Sequence, residues 1–319
     1  MMTTKLINEQ IDDYLRSADI QEVSRHKYRD NLHLYVSWLT RNVDDVHQVT
    51  KADFIRYKQY LLDQRLSAST IENYLVVVRQ FYRYLSEMGE ATDITQGVRS
   101  PKQQPGFRKK YLVPDDMARL LMAIDRSTIQ GKRSFAIINL MLHTGVRCIE
   151  VSRLNVGDIK SPEKIMVQDK GYSHADRPVA ITEDIHTAIM LYLNERDDVS
   201  LRDPLFVNHS CASMNTRYTP ISISKLVKRL MRSIALDDGK LTAHSLRHSF
   251  AINSIKCGAT VFQISKTLGH RSISTTELYL RAVEEEQSAE GTPVRLLADL
   301  IKKAKKNLNT DQNEPISNP

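Results

Sequence analysis

The sequence predicts a mainly α-helical protein, in which an N-terminal helical bundle precedes a mixed α/β domain that is mostly helical with a small β-hairpin or sheet. Three observations predict this class: helical spacing of apolar residues over most of the chain, a break in that spacing near residue 100, and two short extended runs around a polar loop. At about 150 residues per domain, the length of 319 residues fits two domains.

The first hundred residues carry four predicted helices, at about 6–17, 21–41, 51–65 and 69–88. Leu32, Val36 and Leu39 recur at the spacing of one buried helix face. We therefore predict a helical domain over residues 1–95. Six basic side chains of this region are either phosphate contacts or an ordinary solvated surface, and the second interpretation is favoured: Arg25, Lys27, Arg29, Lys58, Arg79 and Arg83.

Residues 96–112 are predicted to form a basic interdomain linker. Helical periodicity fails here, and the stretch contains Pro101, Pro105-Gly106 and Arg108-Lys109-Lys110. The next domain is predicted over residues 113–286. Its first helix is expected to begin at Pro114, because a proline followed by two acidic residues suits the first turn of a helix.

The second domain contains further predicted helices at about 134–143, 183–196, 222–236, 243–257, 260–268 and 274–284. Lys164–Val167 and Arg177–Ile181 are expected to pair as a hairpin. Residues 287–319 are predicted to be a tail with an amphipathic helix, since Val294, Leu297 and Ile301 recur at helical spacing opposite several lysines. Such a helix needs a surface to cover.

Charge and cysteine content restrict the function classes. The net charge is +7, and the basic excess lies within residues 101–283, where 27 Lys and Arg accompany 17 Asp and Glu. This pattern suits a nucleic-acid partner. No apolar run approaches the ~18 residues of a membrane span, the N-terminus does not resemble a signal peptide, and the three cysteines form no C-x-x-C pair. We expect a cytoplasmic, nucleoid-associated protein with no membrane contact.

One predicted helix, at about 243–257, contains two histidines and an arginine. His244 and Arg247 lie three residues apart on one face, and the helix is apolar on more than one side. A buried Arg247 needs an anion, which is either an internal carboxylate or a bound phosphate. His244 and His248 have the spacing of a zinc pair, but Ser245 stands where the metalloprotease pattern has Glu, so we expect no metal site.

Four segments follow one another along the second domain: His143-Thr-Gly-Val-Arg147-Cys-Ile-Glu150, His244-Ser-Leu-Arg247-His248, Leu268-Gly-His270 and Thr275-Thr-Glu-Leu-Tyr279. Their order and spacing resemble the tyrosine recombinase (phage integrase) family, and most of all its compact Xer-like members. The match covers about residues 113–284. Residues 5–90 resemble the core DNA-binding domain of the family more weakly.

The resemblance implies a DNA strand transferase, independent of metal, ATP and any cofactor, whose nucleophile is Tyr279. In the family this tyrosine forms a 3′-phosphotyrosine and frees a 5′-hydroxyl. Arg147 and Arg247 correspond to guanidinium groups that hold the phosphate oxygens, where negative charge spreads in the transition state. His244 and His270 are expected to donate hydrogen bonds to that phosphate, and His244 is the candidate acceptor of the Tyr279 proton.

Two further roles follow from the resemblance. Lys170, in the predicted hairpin loop, is expected to protonate the leaving 5′-oxygen; Lys164 is the alternative, and an exposed turn lysine without a role is a third interpretation. Glu150 is expected to orient Arg147 from the same helical face. Otherwise it forms a surface pair with Arg147 or Arg153.

The expected partner is double-stranded DNA with specific core sites, bound between the two domains. A homo-tetramer on paired sites is expected, with the C-terminal helix of one protomer docked on its neighbour, and a second recombinase or an accessory protein is left open. Two alternative functions are kept: a type IB topoisomerase that nicks and reseals one strand, and a catalytically inactive DNA-binding protein of the same fold.

Overall fold

A computed structural model describes residues 2–45, 48–102, 110–169, 174–197, 199–236, 239, 241–290, 297 and 300–301. The chain divides into two compact units, Met1–Pro105 and Gly106–Pro319, each with its own hydrophobic core. The division falls inside the stretch 96–112 for which the sequence predicts a linker. The predicted fold class is confirmed: the protein is mainly helical, with one small sheet in the second unit.

The N-terminal unit contains four helices: α1 (Met2–Ser17), α2 (Glu22–Asn42), α3 (Lys51–Asp63) and α4 (Ala68–Glu87). Polar side chains cap the N-termini of two of these helices. The Thr50 backbone N–H donates to Asp53 Oδ2 at 2.8 Å ahead of α3, and the Thr70 backbone N–H donates to Ser67 Oγ at 3.1 Å ahead of α4. These bonds satisfy backbone groups that a helix end leaves unpaired.

Three of the basic residues that the sequence left between two interpretations lie in ion pairs of this unit: Arg25 with Glu22, Arg29 with Asp12 and Arg79 with Glu72. Such pairs are typical of an ordinary solvated surface, which is the favoured interpretation. Beneath that surface the core is rich in tyrosine. Tyr35 and Tyr57 pack edge to face with ring centroids 4.8 Å apart, and the Tyr35 and Tyr82 hydroxyls lie 3.2 Å apart.

The C-terminal unit contains eight described helices: α5 (Pro114–Met122), α6 (Ile129–Thr144), α7 (Cys148–Arg153), α8 (Glu183–Leu193), α9 (Pro220–Ser233), α10 (Ala243–Lys256), α11 (Val261–Leu268) and α12 (Ser274–Glu290). The short α7 was not predicted. The α6 helix begins five residues earlier than expected because Thr128 caps it, its hydroxyl accepting from the Gly131 backbone N–H at 3.1 Å. The α12 helix continues six residues beyond its predicted end.

The sheet has three antiparallel strands in the order β1 (Ile159–Ser161), β2 (Lys164–Val167) and β3 (Arg177–Ala180). The predicted hairpin is confirmed as β2 and β3, while β1 was not predicted. The register pairs Lys164 with Ala180 and Val167 with Arg177. Arg177 therefore lies at the loop end of the hairpin, and Lys164 lies at the opposite end.

Two separate cores hold this unit together. The larger one lies between the sheet and α5 to α10, and the smaller one joins α10, α11 and α12. The smaller core contains Ile264, Leu268 and Val283 together with the ring of Tyr279. Within the described part of the chain, no helix combines the length and the apolar content needed to cross a membrane.

Candidate active site

A glycine in the left-handed backbone conformation ends α6 and determines where Arg147 lies. Gly145 has φ +66°, a conformation that strains any residue with a side chain. A Cβ at this position would also lie 2.5 Å from Leu268 Cδ2 and 2.7 Å from Phe250 Cδ1. The turn therefore requires glycine, and it leaves Arg147 as the residue immediately before α7.

Glu150 is fully buried on α7 and binds two arginines. Its Oε1 accepts from Arg147 Nη1 at 2.6 Å, and its Oε2 accepts from the Arg147 backbone N–H at 2.9 Å and from Arg177 Nη2 at 3.2 Å. The expectation that Arg147 and Glu150 share a helical face is wrong, because Arg147 precedes the helix. The surface-pair alternative is also wrong, since a carboxylate this buried needs its partners inside the protein.

Arg177, which sequence reasoning did not single out, extends this network to the hairpin and to α11. Its Nε donates to Asp169 Oδ1 at 2.7 Å, and its Nη1 donates to the Thr267 carbonyl. Gly269 lies against both side chains: it has φ +63°, and a Cβ there would lie 2.6 Å from Arg177 Nε and 2.8 Å from Asp169 Oδ1. The glycine of the Leu268-Gly-His270 segment therefore makes room for the arginine network.

Arg247 lies on α10 and is 1% exposed. Its Nη1 donates to the Gly145 carbonyl at 2.8 Å and its Nη2 to the Leu268 carbonyl at 2.7 Å. Both acceptors are neutral, so these bonds fix the guanidinium without cancelling its charge. Burial, and secondly the charge of Arg147, lower the pKa of Arg247 to about 10, which leaves it protonated at neutral pH.

Tyr279 lies in the second turn of α12 and is 4% exposed. Burial raises the pKa of its hydroxyl, and the charges of Arg247 and Arg147 act in the opposite direction. The two arginines are therefore close enough to the phenol to favour its ionised form. The ring itself belongs to the small core between α10, α11 and α12.

Two imidazoles lie beside this phenol, and a third lies next to one of them. His248 Nδ1 lies 2.9 Å from the Tyr279 hydroxyl, and the His270 ring lies nearly parallel to the tyrosine ring with centroids 6.3 Å apart. His244 is exposed in the first turn of α10, with its ring centroid 4.5 Å from that of His248. Sequence reasoning considered His248 only as a zinc ligand. Its position four residues after His244 was the signal that could have placed it in this group.

A buried hydroxyl holds His270 in place. His270 Nδ1 lies 2.7 Å from Thr276 Oγ1 in the first turn of α12. Burial, followed by the charges of Arg247 and Arg147, lowers the pKa of His270 to about 4. This imidazole is therefore neutral at pH 7, with one nitrogen bound to Thr276.

Lys170 lies outside the described residues. The residues on either side of that loop, Asp169 and Arg177, are bonded to each other, and Arg177 is bonded to Glu150. Lys164 is exposed at the opposite end of the hairpin, three residues along a strand from Val167, which is about 10 Å at ~3.3 Å per residue. Lys164 is therefore separated along the strand from the arginine network at the loop end of the hairpin.

The structure thus brings Arg147, Arg247, His244, His270 and Tyr279 together, and it places Glu150 behind Arg147. No group of three or more His, Cys, Asp or Glu side chains in the described ranges could hold a metal ion. Of the predicted tail helix, Leu297 and Ile301 are described and exposed, whereas Val294 and most of the tail lie outside the described residues.

Two parts of the chain match families of known proteins. Residues 110–286 match the phage integrase family, and residues 9–89 match the phage integrase N-terminal SAM-like domain. The chain is similar to tyrosine recombinase XerC of Roseiflexus sp. strain RS-1, with 30% identity over 302 residues, covering 91% of this chain and 93% of the relative. It is also similar to tyrosine recombinase XerD of Listeria monocytogenes serovar 1/2a, with 26% identity over 285 residues, covering 86% and 94%.

A solved structure has the same fold. The chain superposes on a XerH site-specific recombinase, bound to palindromic difH substrate in a post-cleavage complex, with a TM-score of 0.71 at 18% identity over 86% of this chain and 80% of that one. The family match spans more than half of the chain and includes Arg147, Arg247 and Tyr279. The chain therefore belongs to the phage integrase family.

Proposed function

We propose that the protein is a site-specific tyrosine recombinase in which Tyr279 attacks a DNA phosphodiester, forms a 3′-phosphotyrosine and frees a 5′-hydroxyl. One observation carries this assignment: the charges of Arg247 and of the partly exposed Arg147 both act on the phenol of Tyr279, with the exposed His244 nearby. A pentavalent phosphorus intermediate or transition state carries its charge on non-bridging oxygens, which guanidinium forks bind in pairs. The bond energy is kept in the phosphotyrosine, so rejoining needs no nucleotide.

The arginines are suited to this role by how they are held. Arg247 is fixed by two neutral carbonyls and Arg147 by a single carboxylate that it shares with Arg177. Arg147 and Arg247 together therefore keep more positive charge than their protein partners cancel, and a phosphodiester would offset this excess. Preorganised charge of this kind needs little rearrangement as the reaction proceeds.

The polar residues around the arginines divide the remaining tasks. His270, neutral and held through Nδ1 by Thr276, presents its other nitrogen as a hydrogen-bond donor to a phosphate oxygen if the threonine hydroxyl donates. His244, exposed at the first turn of α10, is the second donor. Lys170 protonates the 5′-oxygen as it leaves, so that the strand ends in a neutral hydroxyl.

Duplex DNA is the substrate, and assembly on it is part of the proposal. Exchange of strands between two duplexes requires several active sites, so we propose a tetramer on paired sites, with the exposed Leu297 and Ile301 of the tail docked on a neighbouring protomer. A second recombinase could occupy some of the positions in that tetramer. Truncation after Gln287 tests this: DNA binding at a single site should persist while tetramer assembly falls. Unchanged assembly would exclude docking by the tail.

The two alternative functions are not favoured. The relatives that the chain matches over most of their length are tyrosine recombinases, and the DNA-bound XerH structure is of a site-specific recombinase. A type IB topoisomerase is therefore the weaker assignment. An inactive DNA-binding protein does not require a phenol, two guanidinium groups and two imidazoles to be grouped in one place.

The deciding experiment recovers DNA that is covalently attached to the protein in cells. After denaturation, sequencing of the attached strand gives the target site, and mass spectrometry of the digested adduct should identify the peptide that contains Tyr279. With the recovered site as substrate, cleavage should continue in EDTA without nucleotide. An adduct on another residue, or cleavage that stops in EDTA, would contradict the proposal.

A further inference from the structure

The last residues of the predicted linker, Tyr111 and Leu112, are attached along one face of α10. The Leu112 backbone N–H donates to Ser249 Oγ at 2.7 Å, and the Leu112 carbonyl accepts from Asn253 Nδ2 at 3.0 Å. The Leu112 side chain is buried in the larger core of the C-terminal unit. The backbone here is therefore fixed on both sides of the peptide plane and from below, which gives the neighbouring Tyr111 a fixed origin.

The Tyr111 side chain joins this segment to two helices. Its hydroxyl donates to Glu286 of α12, 2.9 Å from Oε2 and 3.1 Å from Oε1, and accepts at 2.9 Å from Nζ of Lys256, the last residue of α10. Lys256 Nζ also lies 2.8 Å from Glu286 Oε2. The hydrogen bonds from Lys256 and then from Tyr111 hold the pKa of Glu286 below its usual range, so the carboxylate is charged at neutral pH. Tyr111, Lys256 and Glu286 form what we call the linker cluster.

The linker cluster lies where the burial of α12 ends. Tyr279 and Val283 belong to the small core, against which the Tyr111 ring also packs, whereas Glu284 to Glu286 are exposed. Glu286 is seven residues after Tyr279, so both lie on the same face of α12. The bonds of Glu286 therefore hold a part of this helix that apolar burial does not secure.

Two contacts, about two turns apart, determine how α12 is aligned along α10. His248 Nδ1 lies 2.9 Å from the Tyr279 hydroxyl, and further along both helices Lys256 is paired with Glu286. Residues 248–256 and 279–286 span about 12 Å and about 10 Å at 1.5 Å per residue. The two helices therefore run in the same direction with matching intervals, and the second contact opposes a shift of α12 along α10. Because Arg247 directly precedes His248, such a shift would move Tyr279 away from Arg247.

We propose that Tyr111 is a positioning residue, which acts through Glu286 and Lys256 to hold α12 in the alignment that places Tyr279 beside Arg247; this inference rests on the proposed function. A displacement of about 1 Å at reacting atoms can lower a rate by about a hundredfold, so an anchor two turns from the nucleophile is close enough to affect cleavage. The tail that is proposed to dock on a neighbouring protomer begins at residue 287. The linker cluster therefore anchors α12 between that tail and the nucleophile.

Glu286→Ala removes the α12 partner of the linker cluster at an exposed position, so the variant should fold. Single-turnover cleavage of the recovered site, measured at saturating protein, should fall by about tenfold because the phenol is aligned for a smaller fraction of the time. The Kd for DNA should remain at the wild-type value. Cleavage at the wild-type rate would overturn the proposal.

Glu195→Ala is the matched control, because Glu195 forms a comparable ion pair with Lys132 elsewhere in the unit. The side chains of Glu195 and Lys132 are 45% and 25% exposed, against 47% and 34% for Glu286 and Lys256. The control should cleave at close to the wild-type rate. If it lost as much cleavage as Glu286→Ala, the effect would belong to any ion pair of this unit, and the proposal would be wrong.

Tyr111→Phe keeps the ring against the small core and removes only the hydroxyl. Cleavage should fall by about threefold to tenfold, since the pair of Lys256 and Glu286 is left without its attachment to the linker. Because Tyr111 is proposed to act through Glu286, the double variant with Glu286→Ala should be no slower than Glu286→Ala alone. Losses that multiply in the double variant would show that the two residues act separately and would overturn the proposal.

Exchange of the two charges distinguishes alignment from a requirement for either charge by itself. A tyrosine hydroxyl both donates and accepts, so Tyr111 can bond the exchanged pair in the double variant Lys256→Glu, Glu286→Lys. This variant should recover most of the cleavage that each single variant loses. If it cleaved no faster than the slower single variant, the proposed alignment would be wrong.

The proposed function and this inference fail separately. If the wild-type protein forms no adduct through Tyr279, the function is wrong. If it forms that adduct and both Tyr111→Phe and Glu286→Ala cleave at the wild-type rate, only the positioning role of Tyr111 is wrong.

Discussion

Two histidine–tyrosine pairs lie in the C-terminal unit, and their hydrogen bonds are alike in length, although His248 is buried and His209 is half-buried. His248 bonds to Tyr279 at 2.9 Å, and His209 bonds to Tyr192 at 3.0 Å. Burial raises the pKa of each tyrosine, and two arginines act against it in each case. A tyrosine, an imidazole and two guanidinium groups in contact are therefore insufficient to identify an active site.

The pairs differ in what their arginines are bonded to and in what they leave accessible. Beside Tyr192, the Arg133 guanidinium stacks 4.0 Å over the Tyr218 ring, and Arg196 donates to the carbonyls of Pro204 and Leu205. These arginines hold a loop in place. Beside Tyr279, by contrast, the Arg147 side chain is 28% exposed, and the exposed His244 is one helical turn from His248. Arg147 and Arg196 are both half-buried, so the distinguishing property is the exposed imidazole of His244, which a phosphodiester can reach beside the second cluster.

The largest difference between the two pairs should come from replacing each tyrosine with phenylalanine, which removes one oxygen. Tyr279→Phe should abolish covalent DNA adducts while DNA binding persists, because only the nucleophilic atom is lost. Tyr192→Phe should leave adduct formation intact and lower the free energy of unfolding by about 1 kcal/mol, the usual contribution of one hydrogen bond. Denaturing gels and urea titrations measure the two effects. Adducts formed by Tyr279→Phe would invalidate the comparison.

Replacing one arginine of each cluster with lysine should distinguish the cluster around Tyr279 from the cluster around Tyr192 nearly as clearly. Lysine has one ammonium group and cannot bond the Gly145 and Leu268 carbonyls as a planar fork does. Arg247→Lys should therefore reduce single-turnover cleavage by about a hundredfold to a thousandfold, as expected for the loss of a positioned transition-state donor. Arg133→Lys should lower the melting temperature and leave cleavage by the folded protein unchanged. Equal losses of cleavage in both variants would contradict the assignment of the two clusters.

A methyl group at Gly269 should test whether the Arg177 network serves the site. Gly269→Ala adds backbone strain and a collision with Arg177 and Asp169, so Arg147 should lose its support and cleavage should fall by about tenfold or more. Gly258→Ala is the control: Gly258 has φ +90° and no atom within 4 Å of an added Cβ. It should cost about 1 kcal/mol of stability from strain alone, with cleavage retained. If both variants cleave normally, the network is purely structural.

The smallest effect concerns pH and is shared by both clusters. Burial and neighbouring arginines hold the folded-state pKa of His270 and of His209 at about 4, against an ordinary value of 6.5. The unfolded chain binds more protons between these values, so stability should fall as pH decreases from about 6.5 to about 4. Chemical denaturation across this range should show a shallower decline for His270→Asn or His209→Asn. Added sulfate should reduce the part of the decline that comes from His270, because an anion can reach Arg147.

The sequence predicted the long helices and the hairpin because each carries a local signal. The α5 start at Pro114 and the strand pair at Lys164 and Arg177 depend on residues close together in the chain. The strand β1 and the helix α7 were missed because three and six residues are too short to show a period.

The site could be predicted only as far as its residues follow one another in recognisable segments. The bonds of Arg247 to the carbonyls of Gly145 and Leu268 depend on how three helices pack, and main-chain acceptors carry no signature in a sequence. The contact of Arg177 with Glu150 crosses from a strand to a helix 27 residues earlier. The bond of His248 to Tyr279 likewise depends on the packing of α10 against α12.

The burial of Tyr279 has a consequence for the safety of the genome. As the proposed nucleophile, Tyr279 would be a hazard at every encounter with DNA that is not the target. At 4% exposure, with its ring packed beside Leu268 and Val283, the hydroxyl is withheld from such encounters. Under the proposed function, we expect cleavage to require a phosphodiester placed deeply enough to meet the phenol, so that incorrect sequences fail at the chemical step as well as at binding. The packing of this tyrosine in the protein interior would then contribute to the fidelity of the reaction.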